Sequence, residues 1–399
     1  MNLRNINLSS IETPFYLYDL DLLEQTLSTA AGVAASHGYV LHYALKANHQ
    51  MPILEMIKSY GMGADCVSGH EVQLALDQGF DPGKIVFAGV GKTDQEIMLA
   101  LEQDIFSLNC ESIEELQVIQ EIAGALGRTA RVALRVNPGV DARTHRNITT
   151  GLEENKFGIP LSQLQQALDY CHNSPQLRFI GLHFHIGSQI TSLQPYIELC
   201  RRANDIWQSY DISRYGGKVL NLGGGMGINY QNPDDAIPDF AGFFRTIAGN
   251  LSMPAGVEVH FEPGRSLVGQ CAALITRVLY VKQGAKKQFV ITDAGMTELM
   301  RPALYQAVHQ IENLNPEGRI QICDVVGPVC ESSDVFAKDL ALPLPQRGHL
   351  LAIRSCGAYA QSMSLRYNLR KSASAVYTRK GQIISNLSSG VELLQHAFV

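Results

Sequence analysis

Residues 41–48 of this 399-residue chain read Leu-His-Tyr-Ala-Leu-Lys-Ala-Asn, an apolar run that contains a single lysine, Lys46. Such a run is typical of a strand buried on both faces, as in a parallel sheet. A lysine at the end of that strand is costly to keep charged, and the neutral amine is the form that attacks a carbonyl. The simpler interpretation is a strand-end lysine that pairs with a nearby carboxylate such as Asp65. Lys46 alone favours the simpler interpretation, so the rest of the chain has to distinguish the two.

The composition narrows the class of protein. Hydrophobic residues make up 46% of the chain and charged residues 18%, as in ordinary globular proteins. A net charge of −6 without any basic block disfavours nucleic acid as a partner. The N-terminus has no apolar signal core and no apolar run could cross a bilayer, so we expect no membrane association. The eight cysteines are scattered singly, which predicts a reducing, cytoplasmic compartment and neither disulfides nor structural zinc.

Short apolar strands alternate with helical patterns over the first two thirds of the chain. Thr93 with Glu96 and Ser112 with Glu115 have the spacing of capping boxes, and each precedes a helical pattern. Eight strands are predicted, at residues 39–45, 62–66, 84–88, 104–108, 131–136, 179–186, 218–222 and 256–261. Eight such alternations over this length predict an α/β fold with a closed TIM-like (β/α)8 barrel; a doubly wound open sheet is the alternative.

The pattern changes after about residue 264, where helical signals thin out and short β-rich runs begin. We predict a barrel domain over residues 19–263 and a β-rich domain formed by residues 1–18 and 264–399. The predicted strands of the second region are residues 272–281, 289–292, 319–326, 349–354, 373–377 and 382–385, and the early strand at residues 14–18 could join them.

A glycine-rich loop, Gly223-Gly224-Gly225-Met226-Gly227, follows a late barrel strand. Consecutive glycines let backbone amides approach a phosphate closely, and loops after late barrel strands commonly bind one. An ordinary tight turn is the alternative. A dinucleotide fingerprint is disfavoured because no helix clearly opens on the last glycine.

His183 and His185 alternate along one predicted strand, so both side chains point to the same face. A metal pair would need a third ligand, which the spacing does not supply. For His183 we favour a hydrogen-bonded histidine inside the barrel. His185 lies nearer the mouth, where its ring can pack against a planar cofactor and Ser188 can offer a hydroxyl to a phosphate.

The last barrel strand ends in Glu262-Pro263-Gly264-Arg265. A carboxylate beside a pyridine nitrogen keeps that nitrogen protonated and makes the ring an electron sink. An ion pair between Glu262 and Arg265 is the alternative, although the Pro-Gly turn between them would separate the two side chains.

Three clusters in the β-rich region carry further polar groups. Arg301 and Tyr305 are spaced to share one face of a helical turn. Cys330 and Glu331 follow a Gly-Pro loop signal, and a surface loop is the default interpretation. Tyr359 follows a predicted strand and is a weak signal by itself.

Together these segments resemble the fold-type III pyridoxal-phosphate decarboxylases, with an alanine-racemase-like barrel, and most specifically the diaminopimelate decarboxylases. The resemblance extends from about residue 13 to residue 368. It rests on motifs found in the family's order: Tyr43-Ala-Leu-Lys-Ala-Asn48, Gly63-Ala-Asp-Cys-Val-Ser68, Gly181-Leu-His-Phe-His-Ile-Gly-Ser188, the glycine loop, Glu262-Pro-Gly-Arg265, Gly327-Pro-Val-Cys-Glu-Ser332 and Gly357-Ala-Tyr359.

The resemblance implies that pyridoxal 5'-phosphate is the cofactor, carried by Lys46 as a Schiff base. It places His185 against the cofactor ring and Glu262 at the pyridine nitrogen, and it makes Cys330 or Lys46 the proton donor to Cα. The other residues that it implies around the cofactor are Ser188, Gly224, Gly225, Gly227, Gly264, Arg265 and Tyr359. The residues that it implies for the substrate are Arg265, Arg301, Tyr305, Glu331 and Tyr359. Cys330 and Glu331 would reach the site of a neighbouring subunit, which implies a homodimer with shared active sites.

The implied reaction is decarboxylation of meso-2,6-diaminopimelate to L-lysine and CO2, the last step of lysine biosynthesis. That substrate carries both an ammonium and a carboxylate at its far end; Glu331 suits the first, and Arg265 or Arg301 suits the second. One alternative is a decarboxylase of ornithine, lysine or carboxynorspermidine. A racemase is disfavoured by Glu262, and a non-catalytic pyridoxal-phosphate carrier would have no use for the substrate residues.

One stretch departs from the family pattern. Residues 360–368 read Ala-Gln-Ser-Met-Ser-Leu-Arg-Tyr-Asn, where the family usually has a glycine and small residues before Tyr-Asn. We therefore expect the lining of the cofactor pocket to differ near Leu365 and Arg366.

Overall fold

The computed structural model describes residues 1, 3, 6–140, 156–315 and 317–387, which form two compact units. The barrel unit comprises Leu27–Gly227 and Pro238–Gly264. The β-rich unit comprises Met1–Thr26, Ile228–Ile237 and the described residues from Arg265 onward. Among the described residues, none of the helices has the length and hydropathy that crossing a membrane requires.

Eight parallel strands of the barrel unit close on themselves. The chain first forms β1 (Phe15–Asp19), which belongs to the β-rich unit. The barrel strands are β2 (Tyr39–Ala44), β3 (Gly63–Cys66), β4 (Ile85–Phe87), β5 (Ser107–Cys110), β6 (Ala130–Arg135), β7 (Leu177–His183), β8 (Val219–Asn221) and β9 (Glu258–Phe261). Closure occurs where β9 pairs with β2, with Val259 opposite Tyr39. The predicted closed barrel is therefore confirmed, and the open sheet is excluded.

Helices alternate with these strands, and several begin at the predicted caps. They are α1 (Leu20–Ser36), α2 (Met51–Ser59), α3 (Gly69–Asp77), α4 (Asp94–Glu102), α5 (Ile113–Ala125), α6 (Leu161–Asn173), α7 (Gln194–Ser209) and α8 (Phe240–Asn250). Thr93 and Glu96 form a reciprocal capping box at the start of α4. Ser112 caps α5, but the Glu115 carboxylate accepts the backbone N–H of Glu111. Only half of the second predicted box therefore forms.

The β-rich unit is built on a mixed sheet. Its further strands are β10 (Ala272–Gln283), β11 (Gln288–Thr292), β12 (Ile311–Asn313), β13 (Ile320–Val326), β14 (Val335–Pro343), β15 (Leu350–Ile353), β16 (Ser374–Arg379) and β17 (Gln382–Leu387). The order along the sheet is β14-β13-β11-β10-β1-β16-β17, and β15 pairs with β10 and β12. The early strand β1 thus joins this sheet, antiparallel to β10 and parallel to β16.

Two strands of this sheet were not predicted. β12 has only three residues. β14 carries Lys338 and Asp339 in its middle and ends on Pro343, and Asp339 has a positive φ of 51°. β14 lies at the edge of the sheet, where charged residues and proline are tolerated. Its apolar alternation is therefore too interrupted to predict a strand.

The units differ from the expected domain boundaries at residues 19–26, at Ile228–Ile237 and at Gly264, which belongs to the barrel unit. Side chains of the β-rich unit hold the first two segments. Arg379 donates to the carbonyl oxygen of Leu20 and pairs with Glu24 at 2.7 Å, which places the start of α1 in the β-rich unit. Arg354 pairs with Asp234 at 2.6 Å and so holds Ile228–Ile237. Two short helices, α9 (Arg265–Val268) and α10 (Arg301–Tyr305), complete this unit.

Candidate active site

Lys46 lies directly after β2, in a single 3-10 turn formed by Leu45–Ala47. Its Nζ donates a hydrogen bond of 2.7 Å to Oδ2 of Asp65, the last but one residue of β3. The side chain of Lys46 is 35% exposed, whereas that of Asp65 is fully buried. The ion pair considered at the sequence level is therefore present, and the amine is less desolvated than expected because it reaches the mouth of the barrel.

The Asp65 carboxyl is a buried acid between a cation and a second carboxylate. Burial raises its pKa, as does the neighbouring charge of Glu262, while Lys46 acts in the opposite direction. Oδ1 of Asp65 has no hydrogen-bond partner among the described residues. Asp65 therefore holds the Lys46 ammonium through one oxygen.

Glu262 follows β9 and is held by side chains from three other barrel strands. Nε2 of His183 donates to Oε2 at 3.0 Å. The side-chain amides of Asn221 and Asn109 donate to Oε1 at 2.7 Å and 3.4 Å. Burial alone would raise the pKa of Glu262, but His183 and Lys46 outweigh it and hold that pKa well below its usual range. The carboxylate is therefore fixed in position and ionised.

The two histidines of the β7 segment have different environments. His183 is buried and bonded to Glu262, as favoured from the sequence, and its Nδ1 has no partner among the described residues. His185 is half-buried, and its Nδ1 accepts the N–H of Gly224 at 3.4 Å. Burial lowers the pKa of His185 to about 3, helped by the charges of Arg135 and Lys46. His185 is therefore a neutral, flat ring.

The glycine loop is packed too closely for side chains. A Cβ on Gly224 would collide with the carbonyl oxygen of Glu262, and one on Gly225, where φ is 100°, would meet the carbonyl oxygen of Gly187. The N–H of Gly223 donates to Oδ1 of Asn221 at 2.8 Å, while the amide of Asn221 holds Glu262. Asn221 thus ties the loop to the carboxylate.

These groups border a cavity of about 430 Å³ inside the barrel unit. Its lining includes Lys46, His183, His185 and Glu262, together with Lys92 and Arg135. Sequence reasoning gave no role to Lys92, Arg135 or Asn221. Arg135 and Asn221 are the last residues of β6 and β8, so the available signal was a polar residue closing an otherwise apolar strand.

Arg135 and Lys92 are both held by carboxylates. Arg135 pairs with Glu111 at 2.6 Å, and its guanidinium lies 4.7 Å from the centroid of the Phe157 ring. Lys92 pairs with Glu115 at 2.6 Å. Their positive charges are therefore compensated within the wall of the cavity. Among the described residues, no His, Cys, Asp and Glu side chains form a group able to hold a metal ion.

The other predicted site residues lie in the β-rich unit, where Tyr230 joins two buried arginines. Nη1 of Arg265 donates to the Tyr230 hydroxyl at 2.5 Å. The Arg301 guanidinium lies 4.4 Å from the centroid of the Tyr230 ring. Arg265 also lies 4.7 Å from the centroid of the Tyr359 ring. Tyr230, in the segment inserted before α8, had no role in the sequence interpretation.

Arg301 opens α10, and the half-buried Tyr305 closes it, so the predicted helical turn is present. Nη1 of Arg301 donates to Nε2 of His309 at 2.7 Å. Burial lowers the pKa of Arg301. The arginine nevertheless stays charged, because guanidinium pKa values begin far above neutrality.

Cys330 and Glu331 lie on an exposed loop, as the default interpretation predicted. The Tyr367 hydroxyl donates to Glu331 at 2.9 Å, and the backbone N–H of Cys330 donates to Asn368. Leu365 and Arg366, in the stretch that departs from the family pattern, are exposed in the single chain. Their bulk therefore occupies the surface of this unit.

Comparison with known proteins agrees with this arrangement. Residues 22–269 match the family described as pyridoxal-dependent decarboxylase, pyridoxal binding domain. A diaminopimelate decarboxylase of Bacteroides thetaiotaomicron is 50% identical over 364 residues, which cover 91% of this chain and 94% of the relative. One from Helicobacter pylori strain J99 is 43% identical over 364 residues, 90% of this chain and 88% of the relative.

A solved structure agrees as well. The crystal structure of diaminopimelate decarboxylase from Helicobacter pylori, complexed with L-lysine, superposes with a TM-score of 0.89 at 39% identity and covers 97% of both chains. Half of the residues are shared with one relative over nearly its whole length, and the fold superposes on that of a solved diaminopimelate decarboxylase over 97% of both chains. The chain therefore belongs to the pyridoxal-dependent decarboxylases and, within them, to the diaminopimelate decarboxylase family.

Proposed function

We propose that this protein uses pyridoxal 5'-phosphate to decarboxylate meso-2,6-diaminopimelate to L-lysine, the last step of lysine biosynthesis. The observation that carries the substrate assignment is Arg301, a buried guanidinium whose recorded hydrogen bond goes to His309 and which has no carboxylate partner among the described residues. A buried cation of this kind suits a substrate carboxylate. Ornithine and lysine have no second carboxylate, so a decarboxylase specific for them would not need it.

The residues of the barrel mouth fit the cofactor. The glycine loop leaves no space for a Cβ at Gly224 or Gly225, which supports a backbone that comes close to a phosphate. In this structure, the N–H groups of Gly223, Gly224 and Gly227 donate to Asn221, His185 and Ile190. Lys46 supplies the amine, and the neutral ring of His185 supplies a flat surface. We propose that Ser188, Gly224, Gly225 and Gly227 hold the phosphate from the barrel unit, with Gly264 beside them. Arg265 and Tyr359 are the proposed contacts from the β-rich unit.

When bound, pyridoxal phosphate supplies an electron sink for the electron pair released as CO2 leaves. Glu262 would keep the ring nitrogen protonated, because its carboxylate is ionised and is held by hydrogen bonds from His183 and Asn221. His183 and Asn221 are positioning residues in this scheme. Lys46 and Cys330 are the two candidates to return a proton to Cα, and the thiol of Cys330 is exposed in the single chain.

The proposed substrate contacts divide by charge. Arg301 and Arg265 attract the distal carboxylate, with Tyr305 and Tyr359 beside them, and Glu331 attracts the distal ammonium. We further propose a homodimer in which Cys330 and Glu331 complete the partner's site. Their exposure on a loop of the single chain supports this proposal.

Hybrid dimers test the shared site. Lys46→Ala is expected to be inactive, and Cys330→Ala is inactive as well if its thiol is the proton donor. Their mixed dimer then contains one intact site. Random exchange of subunits should therefore restore about a quarter of wild-type activity. A mixture that exchanges subunits and stays inactive contradicts the shared site.

The central experiment measures CO2 release from meso-diaminopimelate by wild type and by Lys46→Ala. Wild type should release one CO2 for each L-lysine formed, and the variant none above background. A panel of ornithine, lysine and carboxynorspermidine separates the alternative decarboxylases. A yellow wild-type protein that releases CO2 from none of these compounds would instead be a cofactor carrier.

A cytoplasmic location is also part of the proposal. All eight cysteines are free thiols, and seven of them are buried. Thiols persist in reducing compartments, where disulfides are rare.

A further inference from the structure

His309 connects Arg301 to the backbone of a neighbouring strand end. Its Nε2 accepts the Nη1–H of Arg301 at 2.7 Å, and its Nδ1 donates to the carbonyl oxygen of Arg354 at 2.8 Å. His309 is 4% exposed, as is Arg301. Both ring nitrogens are therefore used, and the contacts define one tautomer.

This tautomer is neutral by necessity. Arg301 cannot accept a hydrogen bond, so Nε2 of His309 must carry a lone pair. Burial and the Arg301 charge lower the pKa of His309 to about 3, which agrees with the neutral ring. His309 thus orients the guanidinium without neutralising its charge.

Among the described residues, the other groups that act on the charge of Arg301 are tyrosines, a buried thiol and the cation Arg265, and none is a carboxylate. Tyr230 presents its ring face to the guanidinium and packs edge-on against His309, with 4.8 Å between the ring centroids. Nε of Arg301 has no hydrogen-bond partner among the described residues. Arg354, whose carbonyl oxygen anchors His309, has its own charge compensated by Asp234 and Glu312.

We infer that His309 is a positioning residue that orients Arg301 while preserving its net charge, and that it thereby makes this subsite selective for a ligand carboxylate. The inference rests on the proposed function, since it takes the distal carboxylate of the substrate as the ligand of Arg301. An acidic residue at position 309 would orient the arginine equally well but would neutralise it. The neutral acceptor is therefore the feature that matters.

Two inhibitors isolate the contribution of this carboxylate. L-Lysine, the product, retains the distal carboxylate, and cadaverine is the same molecule without it. The ratio of their competitive inhibition constants against meso-diaminopimelate measures selectivity for the carboxylate. Three variants are compared with wild type: His309→Gln, which keeps a neutral acceptor near the Nε2 position; His309→Glu, which supplies a charged one; and His309→Asn, which lacks that acceptor.

The expected results differ between the variants. His309→Glu should reduce the preference for lysine over cadaverine by about tenfold or more, with cadaverine inhibition unchanged or strengthened. His309→Gln should keep the ratio within about threefold of wild type. His309→Asn should lower the preference with kcat affected less than KM, and it replaces the glutamate variant if that protein does not fold. Retained cadaverine inhibition shows that each variant has kept its site.

Two kinds of failure can be told apart. If wild type releases CO2 from meso-diaminopimelate but His309→Glu and His309→Asn keep its lysine preference, the role of His309 is wrong and the proposed function stands. If wild type does not decarboxylate meso-diaminopimelate, the proposed function itself fails.

Discussion

Nζ of Lys46 lies 2.7 Å from Oδ2 of Asp65, and it is the aspartate, not the lysine, that is completely buried. The pair joins an amine that can reach solvent to a carboxylate that cannot. The carboxylate stabilises the ammonium form of Lys46, which is unreactive towards a carbonyl. Asp65 therefore lowers the reactivity of Lys46, the residue proposed to bind the cofactor.

Replacing Asp65 with asparagine should speed up cofactor capture. The amide keeps the shape and a hydrogen bond but no longer favours the ammonium, so more of the neutral amine is present near neutral pH. We expect the rate of covalent capture to rise by up to about tenfold, a modest effect because Lys46 is partly exposed. The measurement is the growth of visible absorbance after stripped protein is mixed with pyridoxal phosphate. A slower reaction in the variant would show that Asp65 does not lower the reactivity of Lys46.

Replacing Glu262 with glutamine should leave the cofactor bound and slow its chemistry. The amide can still meet His183 or Asn221 but cannot hold a proton on the pyridine nitrogen. We expect kcat to fall by roughly a hundredfold or more, with little change in cofactor retention on gel filtration. Glu258→Gln, at an exposed position of the same strand β9, is the matched control and should remain active. Equal activities of the two variants would remove Glu262 from the mechanism.

Replacing Gly224 with alanine should damage the phosphate site. The new Cβ would press on the carbonyl oxygen of Glu262, so the loop must shift. We expect a loss of about 1–3 kcal/mol in the free energy of unfolding and weaker retention of the cofactor. Gly249→Ala, in helix α8 with open space around its Cβ, should be neutral or stabilising by about 0.5–1 kcal/mol. Titration of both variants with pyridoxal phosphate gives the comparison. An unchanged affinity in Gly224→Ala would argue against phosphate binding by the glycine loop.

Replacing Arg301 with lysine should raise KM for meso-diaminopimelate. Lysine keeps a positive charge but loses the planar fork that binds a carboxylate through two hydrogen bonds. We expect KM to rise roughly tenfold or more while kcat changes less. Arg347→Lys, on the exposed surface of the β-rich unit, should have wild-type kinetics. A normal KM for Arg301→Lys would exclude the arginine from substrate binding.

Acid should destabilise the protein partly through His309. Its pKa is about 3 in the folded chain and about 6.5 when unfolded, so the unfolded chain binds the proton first as pH falls. The stabilisation is complete above about pH 6.5 and declines by up to about 1.4 kcal/mol per pH unit below it.

Urea unfolding at several pH values measures this slope. His309→Gln should flatten it, whereas His172→Gln, at an exposed position, should not. Identical slopes for wild type and His309→Gln would show that His309 titrates normally.

The barrel was predictable because most of its strands contain a short apolar run and some of the helices between them begin at recognisable caps, as at Thr93 and Ser112. The mouth was predictable to the extent that chemical residues follow strands, as Lys46 and Glu262 do. Asn221 was missed because it falls inside the predicted strand 218–222, where nothing marks it as the last residue of β8. Tyr230 and His309 were missed for another reason. Their roles depend on contacts with Arg265 and Arg301 that no periodicity in the sequence encodes.

The position of β1 has a consequence for how the chain is made. Phe15 pairs with Ile275 of β10 and with Ser374 of β16, so β1 leaves the ribosome long before either of its partner strands. Until then it is an apolar strand with two open edges, the kind of segment that joins other chains. The barrel needs only residues up to β9 to close, whereas the mixed sheet cannot be completed before β16 and β17 have been made. A chain truncated within β16 should therefore aggregate rather than fold into a shorter enzyme.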